Sequence, residues 1–254
     1  MSIAHTSYFD LTRHLTEAGV EPGMDLCIHS RMISFGLIEG GISTVYRAIR
    51  AVTGPKATLV VPAYTLKLGA DDIYDWRKTR SDGMGTFSEW FRQHPEAKRN
   101  LNPMHSHAAI GPNAGLLERS DINLAFGPNS DFEMFRRNGF HLLLLGCTLS
   151  EGGAYLHQVE VDANVPYREW MYLPRQILED DGVVRRISYR YFGRKTASPY
   201  YNDFTSVERF LSGRGLLPRA RAPYGTSSVI VLDTLAEAAL EVVAADPFAL
   251  VKEK

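Results

Sequence analysis

His157 and Glu160, three residues apart, are the two side chains in this sequence best spaced for acid–base chemistry. They lie in AYLHQVEVDAN, a segment predicted to be helical, and positions i and i+3 of a helix share a face. A carboxylate on that face can orient the imidazole and stabilise its protonated form. The pair therefore predicts a general base with its orienting partner, although a surface ion pair without catalytic role has the same spacing.

Two other sets of residues indicate different chemistry. Cys147 lies ten residues before His157, and an imidazole can lower the pKa of a thiol and make it nucleophilic. However, a cysteine that ends the run LLLLGC is more often a core residue. His105 and His107 face the same way in an extended strand and could form a metal site with His29 or His157, but no further ligand motif accompanies them. A thiol or metal hydrolase is therefore the alternative of another class.

The helices and strands that must position these residues alternate along the chain. Strands are predicted in GMDLCIHS, ATLVVP, HSHAAIG, FHLLLLG and SSVIVLD, and helices in YFDLTRHLTEAG, ISTVYRAIRAV, TFSEWFRQHP, SDFEMFRRNG, NDFTSVERFLSGRG and TLAEAALEVVAAD. Ser130 or Asp131 is the predicted N-cap of SDFEMFRRNG, and Asp233 that of the last helix. Asp180-Asp181-Gly182 separates two alternating segments and predicts a β-hairpin. The fold class is therefore α/β: a single domain over residues 1–254, with a largely parallel or mixed central sheet, flanking helices and an added hairpin.

Composition narrows the classes of partner. The chain has 254 residues, 44% of them apolar, which is ample for one hydrophobic core. Lys and Arg number 28 against 29 Asp and Glu, so the balanced charge disfavours nucleic acid and membrane surfaces as partners. A run of about 20 apolar residues and a signal-peptide pattern are both absent from the sequence, so a cytoplasmic location is expected. Cys27 and Cys147 are expected to be reduced, and neither belongs to a zinc-binding pair.

The order of these pieces resembles the aminoglycoside 3-N-acetyltransferase family of antibiotic acetyltransferases. The resemblance runs from about Val20 to Arg168, with a looser fit to the end of the chain. The segments that carry it are LCIHSRMISFGLIEGGISTVYRAIRAVTGPKATLVVPAYT, DWRKTRSDGMGTFSEWFRQHPEAKRNLNPMHSHAAIGPNA, FGPNSDFEMF and LLLLGCTLSEGGAYLHQVE. It implies acetyl-coenzyme A as the acyl donor, no metal, and a small-molecule primary amine as the acceptor. The family's catalytic L-H-x-x-E motif falls on His157 and Glu160.

The resemblance also implies binding residues. The coenzyme site would comprise His29, Ser30, Arg31, Ser34, Phe35, Gly36, Gly40, Gly41 and Ser106. Gly40 and Gly41 directly precede a predicted helix, whose free N–H groups could hold a phosphate, although the segment matches neither common nucleotide motif. Tyr64 and Asp75 would contact the acceptor. The resemblance leaves open whether the protein forms a homodimer.

Three departures from the family pattern concern the acceptor. The chain reads His29-Ser30-Arg31 where the family usually has H-S-S, Gly153-Ala154 where it has Asn-Thr, and R-N-L-N-P at residues 99–103 where it favours R-S-x-H-P. The missing Thr removes a hydroxyl and leaves room beside the motif. We therefore expect acyl transfer to an amine, with an acceptor that differs from a drug aminoglycoside.

The charges of the hairpin bear on the same question. Residues 175–195 include six basic residues against Glu179, Asp180 and Asp181. If the hairpin borders the acceptor pocket, these charges would suit a neutral or anionic amino sugar, such as a nucleotide-linked one, but a solvated hairpin face would carry the same charges. Asp71, Asp72 and Asp75 favour a cationic aminoglycoside if they line the pocket. With both sets of charges considered, the acceptor is expected to be an aminoglycoside or related amino sugar, with a nucleotide-linked or other biosynthetic amino sugar as the alternative.

Overall fold

The computed structural model describes residues 3–196 and 198–253 and contains a mixed central sheet between two layers of helices. The helices are α1 (Tyr8–Glu17), α2 (Ile42–Thr53), α3 (Gly85–Arg92), α4 (Asp131–Arg137), α5 (Leu149–Gly152), α6 (Leu156–Asp162), α7 (Thr205–Gly213) and α8 (Leu232–Ala245). The strands are β1 (His5–Thr6), β2 (Leu26–Ser30), β3 (Leu37–Ile38), β4 (Leu59–Pro62), β5 (Ile73–Tyr74), β6 (Lys98–Arg99), β7 (His107–Ile110), β8 (His141–Leu145), β9 (Arg168–Leu178), β10 (Val184–Arg194), β11 (Tyr200–Asn202), β12 (Ala220–Ala222), β13 (Gly225–Val231) and β14 (Val251–Glu253).

The central sheet has the strand order β12-β13-β8-β2-β4-β7-β6. β2 pairs in parallel with both β8 and β4, whereas the remaining neighbours are antiparallel. The predicted crossover from β2 through α2 to β4 is present, and the sheet is mixed rather than largely parallel.

Both faces of this sheet are buried, which explains the uninterrupted run of leucines in β8. Leu142 and Leu144 pack into the core on the side of α4, α6 and α8, while Leu143 and Leu145 pack into the core on the side of α1, α2 and α3. Successive side chains of a strand point to opposite faces, so four adjacent leucines fill two cores.

The predicted hairpin is formed by β9 and β10, which pair antiparallel from Arg168–Arg194 at one end to Leu178–Val184 at the other. Its turn contains Gly182 at a φ of +84°, a conformation that glycine adopts without steric cost. β5 adds a third strand on the β9 edge. The base of the hairpin lies against α6, because Arg168 at the start of β9 contacts Glu160.

One predicted helix cap is wrong and another is confirmed. α8 begins at Leu232 with Val231 at the cap position, and Asp233 lies inside the first turn, where its carboxylate accepts a hydrogen bond from Arg136 Nε at 2.7 Å. The Ser130 hydroxyl caps α4 by accepting from the Glu133 N–H at 3.3 Å. Among the described residues, no helix combines the length and apolar character needed to cross a bilayer.

Candidate active site

The predicted acid–base pair lies on the first turns of α6, close to the sheet. The His157 Nδ1 and Glu160 Oε2 atoms are 2.5 Å apart, as the i and i+3 positions of one helix allow. Glu160 is fully buried, whereas the His157 side chain keeps 17% of its surface exposed. The carboxylate is therefore fixed inside the protein and the imidazole lies between it and the surface.

Glu160 is held by two further side chains from the start of the hairpin. Arg168 Nε lies 2.6 Å from Glu160 Oε2, and the Tyr167 hydroxyl donates a hydrogen bond to Oε1 at 2.9 Å. Burial raises the pKa of Glu160, but the neighbouring His157 and Arg168 more than offset this, so that its pKa lies below the ordinary value. Glu160 is thus a fixed carboxylate anion that can orient the imidazole and stabilise its positive charge.

His157 Nδ1 faces both Glu160 Oε2 at 2.5 Å and Arg168 Nη2 at 3.2 Å. If Nδ1–H donates to Glu160, the lone pair of the imidazole is on Nε2, which lies 3.4 Å from the Asn202 amide nitrogen. The rings of Phe126 and Phe204 lie edge-on to the imidazole, with centroids 5.5 Å and 5.7 Å away. In this arrangement, His157 Nε2 can accept a proton from a group that approaches it.

A cavity of about 480 Å³ opens at the carboxyl ends of β2 and β4. It is lined by His29, Ser30, Arg31, Met32, Ile33, Pro62, Tyr64, Gly83, Met84, Gly85, Thr86, Cys147, Glu151 and Ala154. Ala154 lies one helical turn before His157, while His157 itself is not part of this lining. The Ser30 hydroxyl is buried in the wall and has no hydrogen-bond partner among the described residues. The cavity thus combines apolar side chains with charged ones and an unused hydroxyl.

The residues predicted to bind the coenzyme divide into three groups. His29, Ser30 and Arg31 line the cavity. Ser34, Phe35 and Ser106 are fully buried, and the two hydroxyls donate to the carbonyl oxygens of Gly146 and Ala63, which argues against direct ligand contacts. Gly36 lies in a neighbouring apolar groove, and Gly40 and Gly41 lie at the start of α2.

The structure separates the two residues predicted to contact the acceptor. Tyr64 lines the cavity beside Cys147 and Ala154. Asp75 does not belong to the lining, and its carboxylate accepts from the Arg77 N–H at 2.9 Å and is 3.8 Å from the Arg77 guanidinium. Asp75 thus has a local structural role in its loop.

The rival chemistries find less support in the geometry. Burial raises the pKa of the Cys147 thiol to about 12, and the thiol donates to the carbonyl oxygen of His29 rather than to an imidazole. His105 lies among aromatic rings and contacts Tyr189, whereas His107 contacts Asp131. Within residues 3–196 and 198–253, no three His, Cys, Asp or Glu side chains are grouped closely enough to hold a metal ion.

Sequence reasoning missed the residues that hold the pair in place. Arg168 and Tyr167 come from the start of the hairpin and Asn202 from β11, and Arg168 Nη2 also donates to the Asn202 side chain at 3.1 Å. Helical spacing shows a contact within one helix, but these contacts join distant segments. Tyr167 and Arg168 directly follow Pro166 in the sequence. Nothing in the sequence indicates which side chains these two residues contact.

Comparisons with known proteins agree with this fold. The sequence model of the family described as aminoglycoside 3-N-acetyltransferase matches residues 27–244. A curated aminoglycoside N(3)-acetyltransferase III from Salmonella sp. is 32% identical over 208 residues, which covers 75% of this chain and 70% of the relative.

Solved structures give the same result. A histidine-to-alanine mutant of aminoglycoside acetyltransferase AAC(3)-IVa in complex with a gentamicin has a TM-score of 0.78 and 25% identity, covering 98% of this chain and 93% of that one. AAC-IIIb in binary complex with CoASH has a TM-score of 0.83 at 18% identity, covering 95% and 97% of the two chains. The chain therefore belongs to the aminoglycoside 3-N-acetyltransferase family, whose members are acyltransferases.

Proposed function

We propose that this protein transfers the acetyl group of acetyl-coenzyme A to a primary amine of an aminoglycoside or related amino sugar, with His157 as general base. The observation that carries the proposal is the buried Glu160 carboxylate, which lies 2.5 Å from Nδ1 and leaves Nε2 as the proton acceptor. Family membership supports the acetyl donor, and a related enzyme of 25% identity has been solved with a gentamicin.

The reaction follows from these groups. The deprotonated amine attacks the thioester carbon, its excess proton passes to His157 Nε2, and the imidazolium so formed is stabilised by Glu160. The tetrahedral intermediate then collapses, and the sulfur of coenzyme A leaves with the proton that His157 held. Binding both substrates in one cleft lowers the entropic part of the barrier.

We expect the donor to bind in the cavity along residues 29–33. Met32, Ile33 and Pro62 provide apolar contacts, and the Ser30 hydroxyl can hydrogen-bond an amide of the pantetheine arm. Arg31, whose side chain is 48% exposed at the rim and 3.6 Å from Glu151, provides positive charge for phosphate.

Replacement of the base tests this proposal. His157→Ala is expected to lower kcat by about 10²- to 10⁴-fold, because a positioned base contributes that much, while the Kd for coenzyme A by calorimetry stays within a few-fold. His94→Ala is the matched control, since His94 is also half-buried among aromatic rings but lies beyond α3. Retention of kcat in His157→Ala, or its loss in Cys147→Ala, would contradict the proposal.

A second candidate acceptor is a biosynthetic amino sugar that carries a negative charge, such as a nucleotide-linked one. Arg175 favours it: this residue is 8% exposed, its Nε has no partner among the described residues, and its other nitrogens donate to the Met104 sulfur and the Pro174 carbonyl oxygen. Within the same described part of the chain, no carboxylate forms an ion pair with it. The charge of nearby Asp72 also acts on Arg175. If Arg175 borders the acceptor pocket, its guanidinium would attract an anionic group of the acceptor.

A panel of acceptors separates the two candidates. We compare steady-state kcat/KM on aminoglycosides and on aminated nucleotide sugars for the wild-type enzyme and Arg175→Met. Turnover of nucleotide sugars alone, reduced by Arg175→Met, would identify the biosynthetic acceptor. Turnover of aminoglycosides alone would exclude it.

A further inference from the structure

The side-chain amide of Asn202 lies beside the imidazole of His157 and has no part in the acid–base pair itself. Its nitrogen is 3.4 Å from His157 Nε2, and its oxygen accepts a hydrogen bond from Arg168 Nη2 at 3.1 Å. Asn202 is half-buried in β11, a strand distant in sequence from both partners. The amide thus connects the arginine of the site to the nitrogen that faces away from Glu160.

The orientation of this amide follows from the chemistry of arginine. A guanidinium has N–H donors and no acceptor, so the atom of Asn202 that faces Arg168 is the amide oxygen. The amide nitrogen, with its two hydrogens, then faces His157 Nε2. A donor at this position requires a lone pair on Nε2, so the contact suits only an imidazole that has no hydrogen on that nitrogen.

The opposite edge of the imidazole meets the complementary requirement. Glu160 Oε2 lies 2.5 Å from His157 Nδ1 and 2.6 Å from Arg168 Nε. Although burial raises the pKa of Glu160, His157 and Arg168 bring it below the ordinary value, so this oxygen is an anionic acceptor. Nδ1 therefore has the hydrogen, and its approach to Arg168 Nη2 at 3.2 Å is a contact between two donors. Both edges select the same neutral tautomer.

Asn202 and Glu160 act in opposite directions on the charge of the imidazole. A carboxylate beside Nδ1 favours the imidazolium, in which Nε2 also has a hydrogen and cannot accept a proton. That hydrogen would point at the hydrogens of the Asn202 amide, and Arg168 adds a positive charge beside the ring, so both disfavour the imidazolium. The nearby His105 is neutral, because burial above all lowers its pKa well below the ordinary value.

We propose that Asn202 is a positioning residue that keeps His157 neutral, with its lone pair on Nε2, until the amine binds. The proposal rests on His157 as the general base and adds the group that keeps this base unprotonated beside a carboxylate. At 3.4 Å the contact is long for a hydrogen bond, so an incoming amine can replace it. Asn202 thus opposes the positive charge before the proton transfer, and Glu160 stabilises it afterwards.

The free protein tests this proposal without any substrate. At about pH 7.5, the ring ¹⁵N chemical shifts of wild-type His157 are expected to show a neutral imidazole with its hydrogen on Nδ1. Asn202→Asp has nearly the same shape but places an anionic acceptor at Nε2, so a doubly protonated ring is expected at the same pH. A wild-type ring that is doubly protonated, or that has its hydrogen on Nε2, would overturn the proposal.

The pH dependence of kcat/KM for the acceptor tests the same role in turnover, because this ratio reports the enzyme before the acceptor binds. Asn202→Asp is expected to move the acid limb of the profile to higher pH by about one to three pH units, the effect of an opposite charge beside an ionisable group. The direction is upward because a stabilised imidazolium loses its proton only at higher pH. Asn202→Ala, which removes the amide without adding charge, is expected to move the limb in the same direction but less.

Asn138→Asp is the matched control, because it makes the same change of charge at an exposed position directly after α4. Its acid limb should coincide with that of the wild type. If Asn202→Asp and Asn202→Ala keep the wild-type Tm and also the wild-type acid limb, the proposal is wrong. If Asn202→Asp does not fold, Asn202→Ala decides the question in both measurements.

A failure of the proposed function gives a different result. A wild-type enzyme that is inactive on every amine would contradict acyl transfer, while the ring ¹⁵N shifts of the wild type and the Asn202 variants would still show whether the amide controls the protonation of His157. A purely structural role of Asn202 would lower the Tm of its variants and leave both the shifts and the acid limb unchanged.

Discussion

At the scale of single residues, the carboxylate of Glu160 connects the proposed catalysis to the stability of the fold. The same oxygen that contacts the His157 imidazole lies 2.6 Å from Arg168, so the orienting group is also the counterion of a buried guanidinium. Removal of the charge from Glu160 therefore affects both properties, and the two effects can be measured separately.

Glu160→Gln is expected to lower kcat at least tenfold and to lower the free energy of unfolding by about 3 kcal/mol, because it leaves Arg168 buried without a counterion. The pKa of Glu160 lies below 4.5 in the folded protein, so its contribution is fully present above pH 4.5 and is lost as the pH falls through the folded pKa. The stability difference between wild type and variant should shrink over that range in urea titrations.

The control for this substitution is Glu118→Gln. Glu118 forms a pair with Lys98 in which both side chains are more than half exposed, and such pairs contribute less than about 1 kcal/mol. Equal destabilisation by the two variants would contradict the structural role assigned to Glu160.

At the scale of elements, the turn after β8 connects the central sheet to the cavity. Gly146 has a φ of +75°, its N–H donates to the Ser227 hydroxyl, and its carbonyl accepts from Ser34. A Cβ atom at this position would lie 2.8 Å from the Arg31 carbonyl oxygen and 2.9 Å from Ser34 Cβ. The turn and the loop at residues 31–35 are therefore packed without space for a methyl group.

Gly146→Ala is expected to destabilise the protein by about 2 kcal/mol or more, because it combines an unfavourable backbone conformation with a steric clash. Displacement of Arg31 should also raise the KM of acetyl-coenzyme A. Gly139→Ala is the control, since Gly139 has a φ of +71° but open space around it, and about 1 kcal/mol is expected there. If urea unfolding gave the same loss of unfolding free energy for both variants, the close packing around Gly146 would have no energetic effect.

The local pattern of apolar and polar residues was enough to predict most of the helices and strands. The amphipathic helices, the leucine strand β8 and the hairpin turn can each be predicted from a few neighbouring residues. The direction of β7 and β13 could not be predicted in this way, because strand pairing is decided by contacts between distant segments. The same limit applies to the site: His157 and Glu160 share one helix, whereas Arg168 and Asn202 join them only in the folded chain.

At the scale of the whole molecule, burial of histidines predicts acid sensitivity. Burial lowers the pKa of His29 to about 3, with a further contribution from nearby His107, and burial also lowers the pKa of His14 and of His105. The unfolded chain therefore binds more protons than the folded protein between pH 6.5 and about 3, so stability falls as the pH falls through this range.

His29→Asn is expected to reduce the pH dependence of the unfolding free energy by roughly 1 kcal/mol per pH unit, because each proton taken up on unfolding contributes about that much. The measurement is the free energy of unfolding in urea at several pH values between about 7 and 4, the range over which an unfolded histidine takes up its proton. His5→Asn, at an exposed position, is the control and should leave the slope unchanged. An unaltered slope in His29→Asn would contradict the lowered pKa of this imidazole.

The short strand β11 holds Asn202 with its amide nitrogen 3.4 Å from His157 Nε2, and its strand partner is β14, with Asn202 opposite Val251. The position of this amide beside the imidazole therefore depends on the pairing of two short strands that lie far apart in the sequence, so a change that displaces β14 would also move Asn202.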